Sequence, residues 1–279
     1  TGAGNDQVRF DMVFDIIAPE IEVIALIREK RLSREEEIAY LRANGVDFDF
    51  KKAEYSINQG VWGTSVGGRE TLTSGETLPE EAYPSQLKET EPRRVTLTFE
   101  KGEFVGLDGK RFEDRIEAIR ALQAIASRYA VGRDMHVGDT IIGIKGRVGF
   151  EAAAPMVIIK AHHMLEKHTL TKWQLFWKDQ IAAFYGNYLH EGQYYDPVMR
   201  DMEAMLESSQ RTVSGDVFVD LHPYRFVVVG IDSPHDLMSD KFGAYGETMS
   251  DWTSDDVKGF GKIFGNQNRI YYKINGGLK

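Results

Sequence analysis

The sequence contains no cysteine, and this absence excludes several kinds of site at once. None of its 279 residues offers a thiol that could form a disulfide, bind a metal or act as a nucleophile. The sequence also lacks an apolar run approaching the roughly 20 residues that a membrane-spanning helix requires. We therefore expect a cytoplasmic protein that has no membrane partner.

Positive charge is also in short supply. The sequence has 34 lysines and arginines against 43 aspartates and glutamates, which gives a formal net charge of -9. Such a surface repels phosphate backbones on average, so we expect no nucleic-acid partner. The hydrophobic share of 42% and the charged share of 28% are typical of globular proteins. The length allows one large domain or two ordinary ones.

The first ten residues, TGAGNDQVRF, combine two glycines with an amide, a carboxylate and a guanidinium group. Glycines let backbone N–H groups approach an anion closely, and a helix N-terminus adds partial positive charge. Asn5 can donate and accept hydrogen bonds, Asp6 can bind an amine, and Arg9 can clamp a carboxylate. The cluster suits a zwitterion such as an amino acid. The alternative is a glycine turn in which Asn5 or Asp6 caps the following helix.

The apolar pattern at the start of the chain predicts a helix, a strand and a second helix. The first helix follows Asp6 and ends near Pro19, and the second begins with the capping-box spacing of Ser33 and Glu36. Between them, residues 21–27 form a nearly continuous apolar run, as expected of a buried parallel strand. This order indicates the last part of an α/β sheet.

Further along, the pattern changes to that of an α+β domain. Residues 55–92 are rich in small and polar residues and predict a long loop. Hairpins are predicted around Lys101 and over residues 216–231, and a strand over residues 139–146. An amphipathic helix ending at Gly132 precedes three more helices. These three lie at about residues 152–168, 171–190 and 196–211.

Two further groups of residues could take part in a site. YSINQGVWGTSVGG places Ser56 and Ser65 on a glycine-rich loop, where hydroxyl groups bind polar ligands or simply form turns. No histidine lies nearby and no nucleophile-elbow pattern is present, so serine catalysis is not expected. His162, His163 and His168 do not have the helical spacing that aligns two metal ligands. We expect hydrogen-bonded or solvated histidines and no metal site.

Two apolar helix faces predict packing rather than catalysis. The predicted helix over residues 171–190 carries an aromatic stripe at helical spacing, which indicates core or a subunit contact. The stripe consists of Trp173, Phe176, Trp177, Phe184, Tyr185 and Tyr188. A short capped helix over residues 253–265 places Val257, Phe260, Ile263 and Phe264 on one face. This second face predicts a C-terminal helix that contacts another subunit.

Three motifs resemble one enzyme family. TGAGNDQVRF is similar to TGKGNDQVRFE of argininosuccinate synthases, YSINQGVWGTSVGG to YSIDENLWGRSIEGG, and DTIIGIKGRVGFEAAAP to ENRIIGIKSRGIYEAPG. The motifs occur in the family's order, over essentially the whole chain. The resemblance implies a ligase of arginine biosynthesis that couples citrulline to aspartate and releases AMP and pyrophosphate. It also implies ATP with Mg²⁺ and a homotetramer.

The resemblance also implies an architecture of the α/β and α+β classes. Residues 1–47 would be the remnant of a parallel-sheet nucleotide-binding domain, and residues 48–245 an α+β synthetase domain. Residues 246–279 would form a C-terminal oligomerisation arm. Family members carry a pyrophosphate-binding loop ahead of the first motif. We therefore expect the 279 residues to be the C-terminal two-thirds of such an enzyme and to be inactive alone.

The matching positions imply the roles of individual residues. Aspartate would be bound by Thr1, Asn5 and Asp6, and citrulline by Asn5, Arg9, Ser56 and Ser65. The family mechanism uses no enzyme nucleophile: the ureido oxygen of citrulline attacks the α-phosphate of ATP, and the aspartate amine then displaces AMP. Catalysis is therefore mainly positioning and charge stabilisation. Asp6 is the expected catalytic residue, because it can hold and orient the attacking amine.

The sequence departs from the family at several positions. Ala3 stands where the family has lysine, and Gly138 and Phe150 stand where it has a citrulline-contacting glutamate and tyrosine. One hypothesis is a small alignment shift that lets Asp139 replace the glutamate. Another is a related ligase whose substrate is an Nα-acylated citrulline. A non-catalytic amino-acid-binding or assembly module is the alternative from a different functional class.

Overall fold

The computed structural model describes residues 4–30, 32–46, 55–238 and 251–277. The chain divides into two compact units, Thr1–His235 and Asp236–Lys279. In the described ranges, no helix combines the length and apolar character needed to cross a membrane.

The first unit begins with three helices: α1 (Asn5–Ile17), α2 (Leu26–Lys30) and α3 (Arg34–Ala43). The predicted capping box of α3 is confirmed, since the Ser33 side chain accepts from the Glu36 backbone and the Glu36 carboxylate accepts from the Ser33 backbone. The predicted cap of α1 is wrong. Gly4 occupies the N-cap position without a side-chain hydrogen bond, and Asn5 is already helical.

The predicted strand over residues 21–27 is also wrong. Residues 22–25 have no regular secondary structure, and residue 26 already belongs to α2. A strand needs a neighbour for its N–H and C=O groups, and no described strand pairs with this segment. Its large apolar side chains are accordingly exposed, with Ile24 at 70% and Ile21 at 51%.

A four-stranded antiparallel sheet forms the smaller layer of the first unit. Its strands are β1 (Ser56–Gly60), β2 (Gly63–Gly67), β6 (Arg133–Asp139) and β7 (Lys145–Glu151), in the order β1-β2-β7-β6. The sequence predicted a loop where β1 and β2 form a hairpin. It also predicted a strand over residues 139–146, which is instead mostly the turn between β6 and β7. Two features close this turn. Gly143 adopts a φ of +81°, and the Thr140 hydroxyl is hydrogen-bonded to both the N–H and the C=O of Ile144.

A five-stranded antiparallel sheet forms the larger layer, in the order β5-β4-β3-β8-β9. Both hairpins predicted from the sequence are confirmed: β3 (Arg93–Glu100) with β4 (Glu103–Leu107), and β8 (Gly215–His222) with β9 (Arg225–Asp232). The short strand β5 (Lys110–Arg111) pairs with β4. Alternation along β3 buries Val95, Leu97 and Phe99 almost completely.

The main core lies between this sheet and two helices. These are α4 (Arg115–Ala126) and α5 (Ala153–Thr169), whose Leu122, Val157 and Leu165 are fully buried in the same cluster as the β3 residues. Helix α4 ends at residue 126, not at Gly132, because the chain tightens into a 3₁₀ turn over Ser127–Tyr129.

The predicted pair of helices after α5 is confirmed as α6 (Lys172–His190) and α7 (Val198–Ser209). The aromatic stripe of α6 does not enter the core, because Trp173, Phe176, Trp177 and Phe184 are 46–61% exposed. A subunit contact for this face stays a prediction.

The second unit contains α8 (Ser254–Phe264) and α9 (Asn266–Ile274). The sequence predicted α8, and a capping box of Thr253 and Asp256 begins it. Within this unit the predicted apolar face of α8 is open, with Phe260 at 63% and Phe264 at 77% exposure. Helix α9 was not predicted.

Candidate active site

The small sheet presents one face that carries two of the four predicted citrulline-binding residues, Ser56 and Ser65. Ser65 of β2 lies directly opposite Phe150 of β7, which lies opposite Asp134 of β6. Residues directly opposite one another share a face, and so do residues two apart along a strand. Ser56, Asn58, Val148, His136, Gly138 and Gly146 therefore lie on this same face, here called the open face.

The other face of the small sheet is closed. Val66 is fully buried there, and Leu78 packs so closely on Gly149 that a side chain at that glycine would overlap it. The buried carboxylate of Glu151 pairs with Arg133 and accepts from the Ser85 backbone. Because one face is packed in this way, the register that directs Ser65 to the open face is fixed.

The N-terminus of α1 lies against the turn between β6 and β7. The side-chain oxygen Oδ1 of Asn5 accepts a hydrogen bond of 2.8 Å from the backbone nitrogen of Ile141. A backbone N–H only donates, so this contact also fixes which end of the amide faces the turn. The contact explains why Asn5 does not cap its helix: its oxygen satisfies a distant backbone group. Its NH₂ group makes no hydrogen bond to another described residue.

Arg9 lies about one turn further along α1 and reaches the end of α6. Its Nε donates to the carbonyl oxygen of His190 at 2.8 Å, and Nη2 lies 3.0 Å from Nδ1 of the same residue. Its Nη1 donates to Oδ1 of Asp6 at 3.1 Å. The Asp6 side chain is 63% exposed, and Oδ1 is the carboxylate oxygen that contacts Arg9.

A cleft of about 660 Å³ runs along the free edge of β6, beside the C-terminal part of α6. His136, Gly138, Asp139, Tyr188 and His190 are among its lining residues. His190 therefore borders both the cleft and the Arg9 guanidinium group. Its Nε2 lies 3.2 Å from the carbonyl oxygen of Asp139.

The structure thus brings the predicted residues into two groups joined by β6. Asn5, Asp6 and Arg9 lie beside the turn that follows β6, and Ser56 and Ser65 lie on the open face towards its other end. From Asp134 to Gly138 the strand rises by about 13 Å. Neither serine hydroxyl is hydrogen-bonded to another described residue. Thr1 and Ala3 lie outside the described residues.

Of the positions that depart from the family pattern, Gly138 and Phe150 both lie on the open face. Phe150 is half-buried between Ser65 and Asp134. A Cβ atom at Gly138 would lie 3.0 Å from Nε2 of His136, so the imidazole covers this glycine. Asp139 alternates to the opposite face, and its carboxylate lies 2.5 Å from the Lys145 ammonium. This pairing does not favour Asp139 as a substitute for the family's glutamate.

The histidines of α5 belong to a buried network elsewhere. Nε2 of His162 contacts Gln210 at 2.9 Å, and His163 contacts Glu166 at 3.2 Å, as expected of hydrogen-bonded histidines. Burial alone would raise the pKa of the Glu166 carboxyl, but His162 and Lys178 outweigh it, and the pKa lies below its usual value. The Lys178 ammonium lies 2.5 Å from Glu166, so it already supplies the cation that this carboxylate requires.

His190 and His136 were missed by the sequence reasoning, for different reasons. That reasoning looked for histidines spaced along one helix, whereas His190 meets a residue 181 positions away. His136 could have been found, since it lies two residues before Gly138, just ahead of the third motif, and would share a face with it on a strand. The position of His190 at the end of a helix gave no signal of its own.

Two known protein-family domains match successive parts of the chain. Residues 1–47 match the family described as the arginosuccinate synthase N-terminal HUP domain, which is a nucleotide-binding fold. Residues 55–271 match the arginosuccinate synthase C-terminal domain. The match to two successive domains of one enzyme covers both groups of site residues.

Similar proteins are named argininosuccinate synthase in bacteria and archaea. The protein of Dictyoglomus thermophilum is 36% identical over 273 residues, which cover 97% of this chain and 68% of the relative. That of Xanthomonas campestris is 36% identical over 282 residues, covering 99% and 70%. That of Methanocaldococcus jannaschii is 33% identical over 274 residues, covering 97% and 69%.

The chain belongs to the argininosuccinate synthase family. Members of this family are ATP-dependent ligases of arginine biosynthesis, and their substrates are citrulline, aspartate and ATP.

The contact between Asn5 and the turn generates a prediction about local stability. Asn5→Ala leaves the Ile141 N–H without its acceptor, which should cost about 1 kcal/mol locally. We expect faster hydrogen exchange at the amide of Ile141 in this variant. Asn5→Asp is the matched control, because it keeps an oxygen at the same position and should preserve the protection. Equal exchange rates in the two variants would contradict the assigned contact.

Proposed function

We propose that this chain binds citrulline and aspartate for an ATP-dependent condensation to argininosuccinate. The observation that carries the proposal is the junction at which Asn5 of α1 contacts the turn after β6 and Arg9 contacts the end of α6. The junction places amide, carboxylate and guanidinium groups beside a cleft, which suits a zwitterionic amino acid. A non-catalytic binding module would use the same clamps, and activity of the full-length enzyme separates the two.

We propose that Asn5, Arg9 and the open face bind citrulline. Two of the five N–H groups of Arg9 remain after its contacts with His190 and Asp6, and both lie on terminal nitrogens. They can donate to a carboxylate, and the hydroxyls of Ser56 and Ser65 can donate or accept along the same sheet. We propose these four groups, counting the Asn5 amide, as the citrulline contacts.

Aspartate is assigned to Thr1, Asn5 and Asp6 by the family pattern. The exposed carboxylate of Asp6 has an oxygen beyond the one that contacts Arg9, and it can accept a hydrogen bond from an amine. A carboxylate that holds the amine while citrulline is activated would shorten the attack distance. Asp6 is therefore the proposed catalytic residue, acting by orientation.

ATP and its metal ion place different demands on the protein. ATP would bind at the HUP part of the fold, which residues 1–47 match. Mg²⁺ would be held mainly by phosphate oxygens. Asp6 and Asp139 are each paired with a cation, and these described carboxylates do not fit a dedicated protein site for the ion. The proposal therefore keeps Mg²⁺ with ATP and assigns it no protein ligand.

The role of Arg9 is tested by Arg9→Lys in the full-length enzyme. Lysine keeps the positive charge but loses the planar fork, so a two-bond contact with citrulline should weaken. We expect a higher KM for citrulline, because the weakened contact loses binding free energy of the ~1.5–3 kcal/mol typical of charged hydrogen bonds. The matched control is Arg28→Lys. Arg28 of α2 pairs with Asp11, which lies on α1 like Arg9 but away from the cleft. A change confined to ATP kinetics would show that the role is misassigned.

A second candidate substrate follows from the open face. A glycine covered by His136 offers no carboxylate for a free α-ammonium group at position 138, so an Nα-acylated citrulline is the competing hypothesis. We propose free citrulline as the main substrate and expect its kcat/KM to exceed that of Nα-acetylcitrulline by tenfold or more, about 1.4 kcal/mol. A competition assay with both compounds measures this ratio. A ratio in favour of the acetylated form would transfer the proposal to the acylated substrate.

We further propose a cytoplasmic homotetramer organised in three parts, residues 1–47, 48–245 and 246–279. The C-terminal part would reach a neighbouring subunit. Its support is the exposed apolar face of α8, formed by Val257, Phe260, Ile263 and Phe264. An apolar helix face is stabilised when it is buried against another apolar surface.

The assembly is tested by removing residues 249–279. We expect the shortened protein to form a smaller oligomer, as measured by light scattering. Phe260→Asp should have the same effect, because it places a charge on the apolar face. Lys258→Asp, on the same helix but outside that face, is the control and should leave the mass unchanged. An unchanged mass after both the truncation and Phe260→Asp would refute the proposed arm.

A further inference from the structure

His190 contacts the Arg9 guanidinium group through two of its own atoms. The backbone carbonyl oxygen accepts from Nε of Arg9 at 2.8 Å, and the ring nitrogen Nδ1 lies 3.0 Å from Nη2. Two contacts from one residue to two nitrogens of a planar group fix both the position and the plane of that group. Asp6 alone could not do this, because it is 63% exposed and contacts only Nη1.

The chemistry of arginine determines the state of the His190 ring. A guanidinium group has only donors, so Nδ1 of His190 must accept the hydrogen bond from Nη2. The ring proton of the neutral imidazole is then on Nε2. That atom lies 3.2 Å from the carbonyl oxygen of Asp139, which is an acceptor. Both ring nitrogens therefore have the partners that a single neutral tautomer requires.

The carbonyl contact has its own physical reason. His190 is the last residue of α6, and the final carbonyl groups of a helix lack partners within the helix. A cation at this end also interacts favourably with the helix dipole. The Arg9 guanidinium therefore has a fixed binding position that does not depend on the His190 side chain. The ring adds the second contact, which sets the rotation of the guanidinium plane.

We propose that His190 is a positioning residue for substrate binding by Arg9. Its neutral ring and its carbonyl oxygen occupy one side of the guanidinium group and direct the two remaining N–H groups towards the amino-acid substrate. The ring also joins the end of β6, through Asp139, to α1. This inference rests on the proposed function, because it assumes that Arg9 binds citrulline.

The test compares two substitutions of His190 in the full-length enzyme. His190→Leu removes the acceptor and keeps a side chain of similar bulk. In His190→Asn, the amide oxygen stands the same number of bonds from Cα as Nδ1 and can accept from Arg9. The backbone carbonyl is present in both. His222→Leu, at the end of β8, is the control for replacing a histidine elsewhere in the same unit.

We expect His190→Leu to raise the KM for citrulline about tenfold, the change that corresponds to ~1.4 kcal/mol. The KM for ATP should stay within about twofold. His190→Asn should restore most of the affinity for citrulline, because it restores the acceptor. In an Arg9→Lys background His190→Leu should add little, since the pair is already broken.

Several outcomes would overturn the inference while leaving the proposed function intact. One is an unchanged KM for citrulline in His190→Leu together with a raised KM in Arg9→Lys. Another is an equal loss for citrulline and ATP that His190→Asn does not restore, which is the behaviour of a merely structural residue. If neither His190→Leu nor Arg9→Lys changes the KM, the proposed role of Arg9 fails. Should His190→Leu not fold, His190→Gln, which moves the acceptor away from the Nδ1 position, replaces it with the same expectation.

Discussion

The hydrogen bonds that join α1 to the turn after β6 and to the end of α6 hold the α1 part of the candidate site in place. They join residues 136 and 181 positions apart, through Asn5 to Ile141 and through Arg9 to His190. Without them the first turns of α1 would carry a set of polar side chains with no fixed relation to the small sheet. The chemistry of the site therefore begins with backbone groups: one N–H in a turn and one C=O at a helix end.

The closed face of the small sheet makes the open face usable. Val66 is fully buried and Gly149 is covered by Leu78, so a shift of one residue in the register would expose the packed side chains. The same register holds the hydroxyl of Ser65 on the open face. Packing on one face of the sheet thus sets the direction of the polar side chains on the other face, without contacts of their own.

The sequence predicted local elements well and their partners poorly. The capping box at Ser33 and both hairpins depend on residues close together in sequence, and all are present. The apolar run at residues 21–27 was read as a strand because its composition suits one, but strand formation requires a pairing partner that composition does not reveal. The turn after β6 was misread for a related reason. The apolar residues on both sides of Gly143 favour a strand, whereas the Thr140 hydroxyl and the positive φ of Gly143 form a turn there.

The candidate site shows the same division between motif and contact. Asn5, Arg9, Ser56 and Ser65 are predicted as site residues because they stand in recognisable motifs, yet the motifs do not indicate what holds each side chain. Asn5 was one of two residues predicted to cap α1, and its side chain instead accepts from the turn after β6. His190 stands in no motif, and its contact with Arg9 arises because it ends a helix that lies against α1. A residue that acts by completing another residue's hydrogen bonds becomes visible only when the chain is folded, and positioning groups are therefore the part of a site that sequence reasoning is least able to supply.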